Sequence, residues 1–229
     1  MIVSHRHRFI FLKTEKTAGT SLEGALAAFC GRRDIITGGR LDNNAEHARR
    51  KSRNNRLGIG HYARLPAVIR HILPSLNGYY GHIPARRVRA MVGEEVWRSY
   101  FKFAVERNPW DRQVSNYFHR RKGKGSPADF DRYLSLPSRL LHHVHVDNWG
   151  IYTIDGAIAV DAILRYESLE EEVAAICARL GIAGPIKLPA ARGGYRPSDS
   201  GYRGFYSDRT RALVGQWYRK EIEAFGYEF

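Results

Sequence analysis

The stretch Phe9–Phe29, FIFLKTEKTAGTSLEGALAAF, constrains this chain more than any other. Phe9–Leu12 is a continuous apolar run, the pattern of a strand buried on both faces of a parallel sheet. Leu22, Leu26 and Phe29 follow at helical spacing with Ala25 between them, which predicts an amphipathic helix over residues 20–30. Between strand and helix lies a tight polar turn, and that geometry suits an anion. Ala18 and Gly19 are small enough for backbone N–H groups to approach an oxyanion, and the helix dipole adds to the attraction. Thr17, Thr20 and Ser21 offer hydroxyl donors, and Lys16 a mobile ammonium. The alternative is a helix start with good capping chemistry and no ligand. No Gly-Lys in the chain is followed by Ser or Thr, so the ATP/GTP pattern G-x-x-x-x-G-K-[ST] is absent.

A second strand–turn–helix unit follows in YFKFAVERNPWDRQVSNYFHRRK, residues 100–122. Phe101, Phe103 and Val105 alternate as in a strand, Pro109 ends it, and Trp110, Val114 and Phe118 continue at helical spacing. Arg107 ends the strand, and Ser115 lies eight residues on, about two helical turns. An arginine at a strand's C-terminal edge, with a hydroxyl on the next helix, can clamp a phosphate; alternatively Arg107 pairs with Asp111. A third unit, residues 162–182, carries Ser168 and Glu171 in a capping-box pattern and Gly181 at a helix C-terminus. Pro84 opens a helical pattern over 82–97, and Leu213, Val214, Trp217 and Phe225 describe a C-terminal helix. Alternating strands and helices predict a layered α/β fold with a largely parallel sheet.

The chain carries 37 basic against 23 acidic residues over 229 positions, a formal charge of +14. That balance implies a polyanionic partner or ligand without choosing among nucleic acid, lipid, acidic polysaccharide and phosphorylated cofactor. Residues 38–60 are rich in Gly, Asn and Arg, either a solvated insertion or an arm gripping an acidic acceptor. The Gly/Pro/Arg-rich loop at 185–206 carries Arg192, Arg196 and Arg203. Cys30 and Cys177 read as two free thiols, and no spacing suggests a metal site. No apolar run approaches the roughly 18 residues of a membrane span, and no signal core follows the N-terminal basic residues. A soluble protein of a reducing compartment, cytoplasmic by default, is the expectation.

KTEKTAGTS followed by ERNPWDRQVSNY resembles the two nucleotide signatures of sulfotransferases that use 3′-phosphoadenosine 5′-phosphosulfate (PAPS). The resemblance is to the branch acting on carbohydrate hydroxyls, which includes heparan sulfate 2-O-sulfotransferases and bacterial relatives. It runs from residue 9 to the C-terminus, through RYESL and FYSDRT, and is weakest over 31–80. Glu15 stands where that family's first motif usually has proline. The resemblance implies a single domain over 1–229, P-loop-like and three-layered, with a central mainly parallel sheet flanked by helices and a basic variable insertion at about 38–64. It implies PAPS as co-substrate without a metal, held at its 5′ end by Lys16, Thr17, Ala18, Gly19, Thr20 and Ser21. The 3′-phosphate would meet Arg107 and Ser115, with Arg196 of the later loop as a further contact. The acceptor would be a hydroxyl of a saccharide or glycoconjugate, with no nucleic acid involved.

Transfer to a hydroxyl needs a base, and neutral histidine suits that role near pH 7. His82, just before a helix and between the two motifs, matches the place where carbohydrate sulfotransferases carry one; His61 is second. Glu15 is a third candidate, though Lys13 and Lys16 should favour its charged, paired form. Two rivals stand beside this reading: a kinase-like nucleotide-binding protein with a degenerate phosphate loop, and a basic nucleic-acid-binding module drawing on Arg-rich 49–56.

Overall fold

The computed structural model describes residues 1–37, 53–54, 78–121, 129–135, 147–184, 186, 188 and 201–229. His61, Arg192, Arg196, Lys122, Lys124 and most of the basic insertion lie outside the described residues. Five strands form the main sheet: β1 (Ile2–Ser4), β2 (Phe9–Leu12), β3 (Ile35–Ile36), β4 (Phe101–Glu106) and β7 (Ala162–Arg165), in the order β3-β1-β2-β4-β7. β2 pairs parallel with β4, Phe9 opposite Phe101 and Leu12 opposite Ala104; β4 pairs parallel with β7. β1 is antiparallel to both β2 and β3, so it alone opposes the common direction. A small hairpin of β5 (Thr153–Ile154) and β6 (Ala157–Ile158) turns through Asp155-Gly156, both at positive φ as such two-residue turns demand.

Both faces of the sheet are apolar because each central strand alternates between two hydrophobic layers. Phe9, Phe11, Phe103, Val105 and Leu164 face one side, where they pack with Leu22 and Leu26 of α1 (Gly19–Ala27) and with Val173, Ile176 and Cys177. The last three belong to a helix over Leu169–Arg179, numbered α7 below. Val3, Ile10, Leu12 and Ala104 face the other side. There they meet Val88 of α2 (Ala85–Val92), Trp97 of α3 (Glu94–Ser99), and Ile151 and Tyr152 of α6 (Trp149–Tyr152). The order is helix, sheet, helix. A third cluster joins α4 (Pro109–Arg121) and α5 (Phe130–Leu134) to α8 (Asp208–Trp217) through Trp110, Tyr117, Tyr133, Val214 and Tyr218.

The three strand–turn–helix units stand where the sequence puts them, with differences that have local causes. α1 stops at Ala27 rather than residue 30, and the chain turns toward Asp34. Asp34 takes bonds from the Ser4 hydroxyl and from the N–H groups of His5, Arg6 and Gly31, and so sets that turn. The 82–97 pattern is two helices because Gly93, at φ 84°, breaks it. The C-terminal pattern is likewise two, α8 and α9 (Arg219–Phe225), meeting at Tyr218. The Ser168–Glu171 capping box does not form: a 3-10 turn over Tyr166–Ser168 precedes α7, and the Ser168 hydroxyl bonds Glu172 instead, at 3.1 Å. The box occurs at Ser207 and Thr210. Gly181, at φ 63°, ends α7 as expected, with Gly181 N–H on Ala178 O and Ile182 N–H on Cys177 O in the 5→2 and 6→1 pattern.

Cys30 and Cys177 are free thiols, and among the described residues no helix is long and apolar enough to cross a membrane. Phe103 stacks on Phe11 at 5.3 Å and Phe101 at 6.1 Å in the middle of the first core. Phe103→Ala should cost about 3–5 kcal/mol and Gly181→Ala only about 1–2 kcal/mol, the left-handed strain of a residue whose Cβ meets nothing. Denaturant midpoints of the two variants check the order.

Candidate functional site

The three parallel strands deliver their chain ends to one rim. β2 runs into the turn at residues 13–18, β4 into Arg107 and Asn108, and β7 into Tyr166 and Glu167. Such a rim, outside the carboxyl ends of parallel strands, is where open α/β sheets bind ligands. The guanidinium of Arg107 lies 4.0 Å from the centre of the Tyr166 ring, and Asn108 N–H donates to Glu167 at 2.7 Å. Asn108 also opens α4: its side chain accepts from Trp110 N–H at 3.1 Å, and Pro109 takes the first helical position, where its missing N–H costs nothing.

In the first turn Lys16 and Ala18 both have positive φ, 62° and 56°. Side chains other than glycine, asparagine and aspartate rarely adopt that region, and alternation of this kind turns successive N–H groups toward one concave point, a nest for an anion. The N-cap of α1 is Ala18, which makes no side-chain capping bond, and the first turn of the helix holds no acid. The side-chain cap that the alternative reading expected at this helix start does not form. Gly19 is required by contact: a Cβ there would stand 2.8 Å from Lys13 Cγ and 3.2 Å from Thr14 O.

Four successive residues of this turn are held from four different places. Lys13 O accepts from His82 Nδ1 at 2.9 Å, and the Thr14 hydroxyl bonds Val105 O of β4. Glu15 exchanges two bonds with the side chain of Asn148, its N–H donating to Oδ1 at 2.8 Å and its carbonyl accepting from Nδ2 at 3.1 Å. Lys16 O accepts from Arg107 Nη1 at 3.1 Å. Arg107 thus brings the second motif onto the first. It also pairs with Asp111, Nη2 to Oδ2 2.6 Å, as the simpler reading of that motif has it. Thr17 is fully buried with its hydroxyl on that of Thr14 at 2.7 Å, so its side chain braces the turn. Thr20 is half-buried and Ser21 buried on the first turn of α1; Ser115 is half-buried on α4.

His82 sits just before α2 with an open face to solvent and its Nδ1 edge against the turn. A carbonyl oxygen only accepts, so Nδ1 carries the proton and Nε2 is left with its lone pair. Desolvation, and then the Lys13 charge, push the imidazole pKa down to about 4. Because the residue is open on one side, the direction is what carries the chemistry: His82 is neutral at pH 7. Lys16 favours the charged form of Glu15, as expected. Burial outweighs Lys16, Arg120 and Arg112, and its pKa is raised rather than lowered.

The sequence reading passed over the residues beneath. Glu106 is fully buried and takes Arg107 N–H at 2.9 Å, Asn148 Nδ2 at 3.2 Å, Tyr152 OH at 2.9 Å and the guanidinium of Arg112. Arg112, also fully buried, reaches Glu221 at 3.2 Å and lies 4.5 Å from the centre of the Tyr218 ring. Burial opposes its charge, but Glu106 and Glu221 hold its pKa above the ordinary value. The signal that could have found Glu106 is its place at the end of β4, between Val105 and Arg107, where only a charge with partners survives burial. Among the described residues no group of three or more His, Cys, Asp or Glu could hold a metal.

A family model described as the sulfotransferase family matches residues 84–228. An uncharacterized protein of Archaeoglobus fulgidus is 30% identical over 104 residues, 44% of this chain and 83% of that relative.

Gly19→Ala tests the turn. Overpacking against a clamped backbone should cost about 1–3 kcal/mol, more than the gain of up to about 1 kcal/mol from removing a helical glycine. A thermal midpoint equal to or above that of the unaltered protein would mean that the turn gives way.

Proposed function

Because this chain belongs to the sulfotransferase family, we propose that it moves a sulfuryl group from PAPS to a hydroxyl of a saccharide or glycoconjugate. One observation supports the donor above others. The Arg107 guanidinium lies on the carbonyl of Lys16, so a helix N-terminus without a side-chain cap and a strand-end arginine meet on one rim. The family match begins at residue 84, so this contact also joins the matched region to the turn before it. The roles below extend the resemblance of KTEKTAGTS and ERNPWDRQVSNY to their counterparts in PAPS-using enzymes.

The backbone of Thr17–Ser21 and the hydroxyls of Thr20 and Ser21 hold the 5′-phosphosulfate, with the dipole of α1 behind them. Arg107 and Ser115 take the 3′-phosphate, with Arg196 as a further contact. The acceptor oxygen attacks sulfur in line as its proton passes to His82 Nε2. The bond from sulfur to the phosphate oxygen breaks, and Lys16 donates to that leaving oxygen, so adenosine 3′,5′-bisphosphate departs. His82 hangs on the turn that holds the donor, which keeps base and sulfur in one frame. A formal charge of +14 favours an acidic acceptor.

Calorimetric titration with adenosine 3′,5′-bisphosphate tests the donor. Wild-type protein should bind it without added metal, and Lys16→Ala and Arg107→Ala should bind it more weakly. Silence of the wild type at high micromolar ligand would sink the proposal. His82→Ala should lower turnover by about 10²–10⁴-fold with that titration almost unchanged. His82 is competent only when neutral, and its pKa is lowered to about 4. Activity should therefore hold from neutral pH to below the ordinary histidine pKa before its acid limb begins. An acid limb at or above the ordinary histidine pKa of about 6.5 would move the base elsewhere.

A further inference from the structure

We propose that Asn148 is a positioning residue that fixes the separation of the two anion seats and so sets the preference for a donor with two phosphate positions over one. The inference rests on the PAPS reading and deepens it. Asn148 is fully buried, and each of its three bonds falls on a different functional group. Oδ1 accepts Glu15 N–H at 2.8 Å; Nδ2 donates to Glu15 O at 3.1 Å and to Glu106 Oε1 at 3.2 Å. The amide has one possible orientation, because the flipped form would set its oxygen against a carbonyl and a carboxylate. Glu106 Oε1 also takes the Arg107 N–H at 2.9 Å. A single chain of hydrogen bonds therefore runs Glu15–Asn148–Glu106–Arg107, from the first turn to the second.

Both ends of that chain are stiff. Glu106 is fixed from behind by Arg112 and by the Tyr152 hydroxyl at 2.9 Å, so Asn148 has a firm base. At the other end it grips the peptide groups just before Lys16, whose φ of 62° persists only under restraint. The direct contact from Arg107 to Lys16 O uses the same guanidinium that would meet a phosphate. Asn148 is the link that a ligand does not share. Its grip also removes Glu15 N–H from the anion's donors, so the seat begins at Lys16.

The test titrates wild type, Asn148→Ala and Asn148→Asp with adenosine 3′,5′-bisphosphate and with adenosine 5′-monophosphate, and records each thermal midpoint. Asn148→Ala should bind the bisphosphate about tenfold or more weakly, and the ratio of the two affinities should shrink. In Asn148→Asp the new carboxyl faces Glu106, with Arg112 and Tyr152 behind it and Glu15 in front. When charged it cannot donate to either oxygen; once protonated its single O–H restores one of the two bonds. Bisphosphate affinity of this variant should be as weak as that of Asn148→Ala at pH 8 and recover in part as pH falls. If Asn148→Ala does not fold, the pH series of Asn148→Asp decides alone. A lowered midpoint with unchanged affinities, an unchanged ratio and no recovery at low pH overturns the role of Asn148 while leaving the donor reading intact. Silence of the wild type toward the bisphosphate overturns both.

Discussion

A polypeptide that leaves a parallel sheet at the end of β2 has no strand beside it, and its backbone polar groups must be satisfied some other way. Here side chains brought from 69 to 133 residues away do it at three points: His82 on Lys13, Asn148 on Glu15 and Arg107 on Lys16. Buried N–H and C=O groups are costly when unpaired, on the order of 1–3 kcal/mol each, so these bonds are required of any fold that buries this turn. Their consequence is that Lys16 and Ala18 can stay at positive φ. The turn owes its shape to its neighbours.

In the proposed reaction the same neighbours carry the chemistry. His82 is oriented by the turn it serves, and its tautomer follows from the carbonyl it touches. Arg107 is shared among Asp111, Lys16 O and the Tyr166 ring, so it is oriented before any anion arrives. Preorganisation of this kind removes reorganisation from the transition state, which in sulfuryl transfer, as in phosphoryl transfer, is where most of the catalysis lies. Beneath both stands Glu106 with Arg112, a buried ion pair whose own contribution to stability is small or negative but whose disruption leaves a bare charge inside, at about 3–5 kcal/mol. Its value lies in rigidity at the C-terminal end of β4, the strand that pairs with both other parallel strands.

Legibility in the sequence followed the range of the interactions. The apolar run Phe9–Leu12, the alternation at Phe101–Val105 and the glycine of Gly181 act over a few residues, and each element formed where that pattern lay. For Glu15 the adjacent lysines are visible in sequence, and the burial that opposes their effect is not. The Ser168–Glu171 pair failed as a capping box because the preceding turn is 3-10 and sends the hydroxyl to Glu172. Asn148 carried no local signal: nothing in DNWGIY shows that its partners sit at Glu15 and Glu106.

The order of strands and helices, the small-residue turn before α1 and the arginine at the end of β4 were all determined by sequence, since steric fit, periodicity and helix dipoles are properties of neighbours along the chain. Tertiary structure decided which groups of that turn are already occupied, which nitrogen of His82 is free and what holds the two motifs in register. Those are matters of hydrogen-bond closure and desolvation among residues far apart in sequence, fixed only once the sheet has brought its strand ends to one rim.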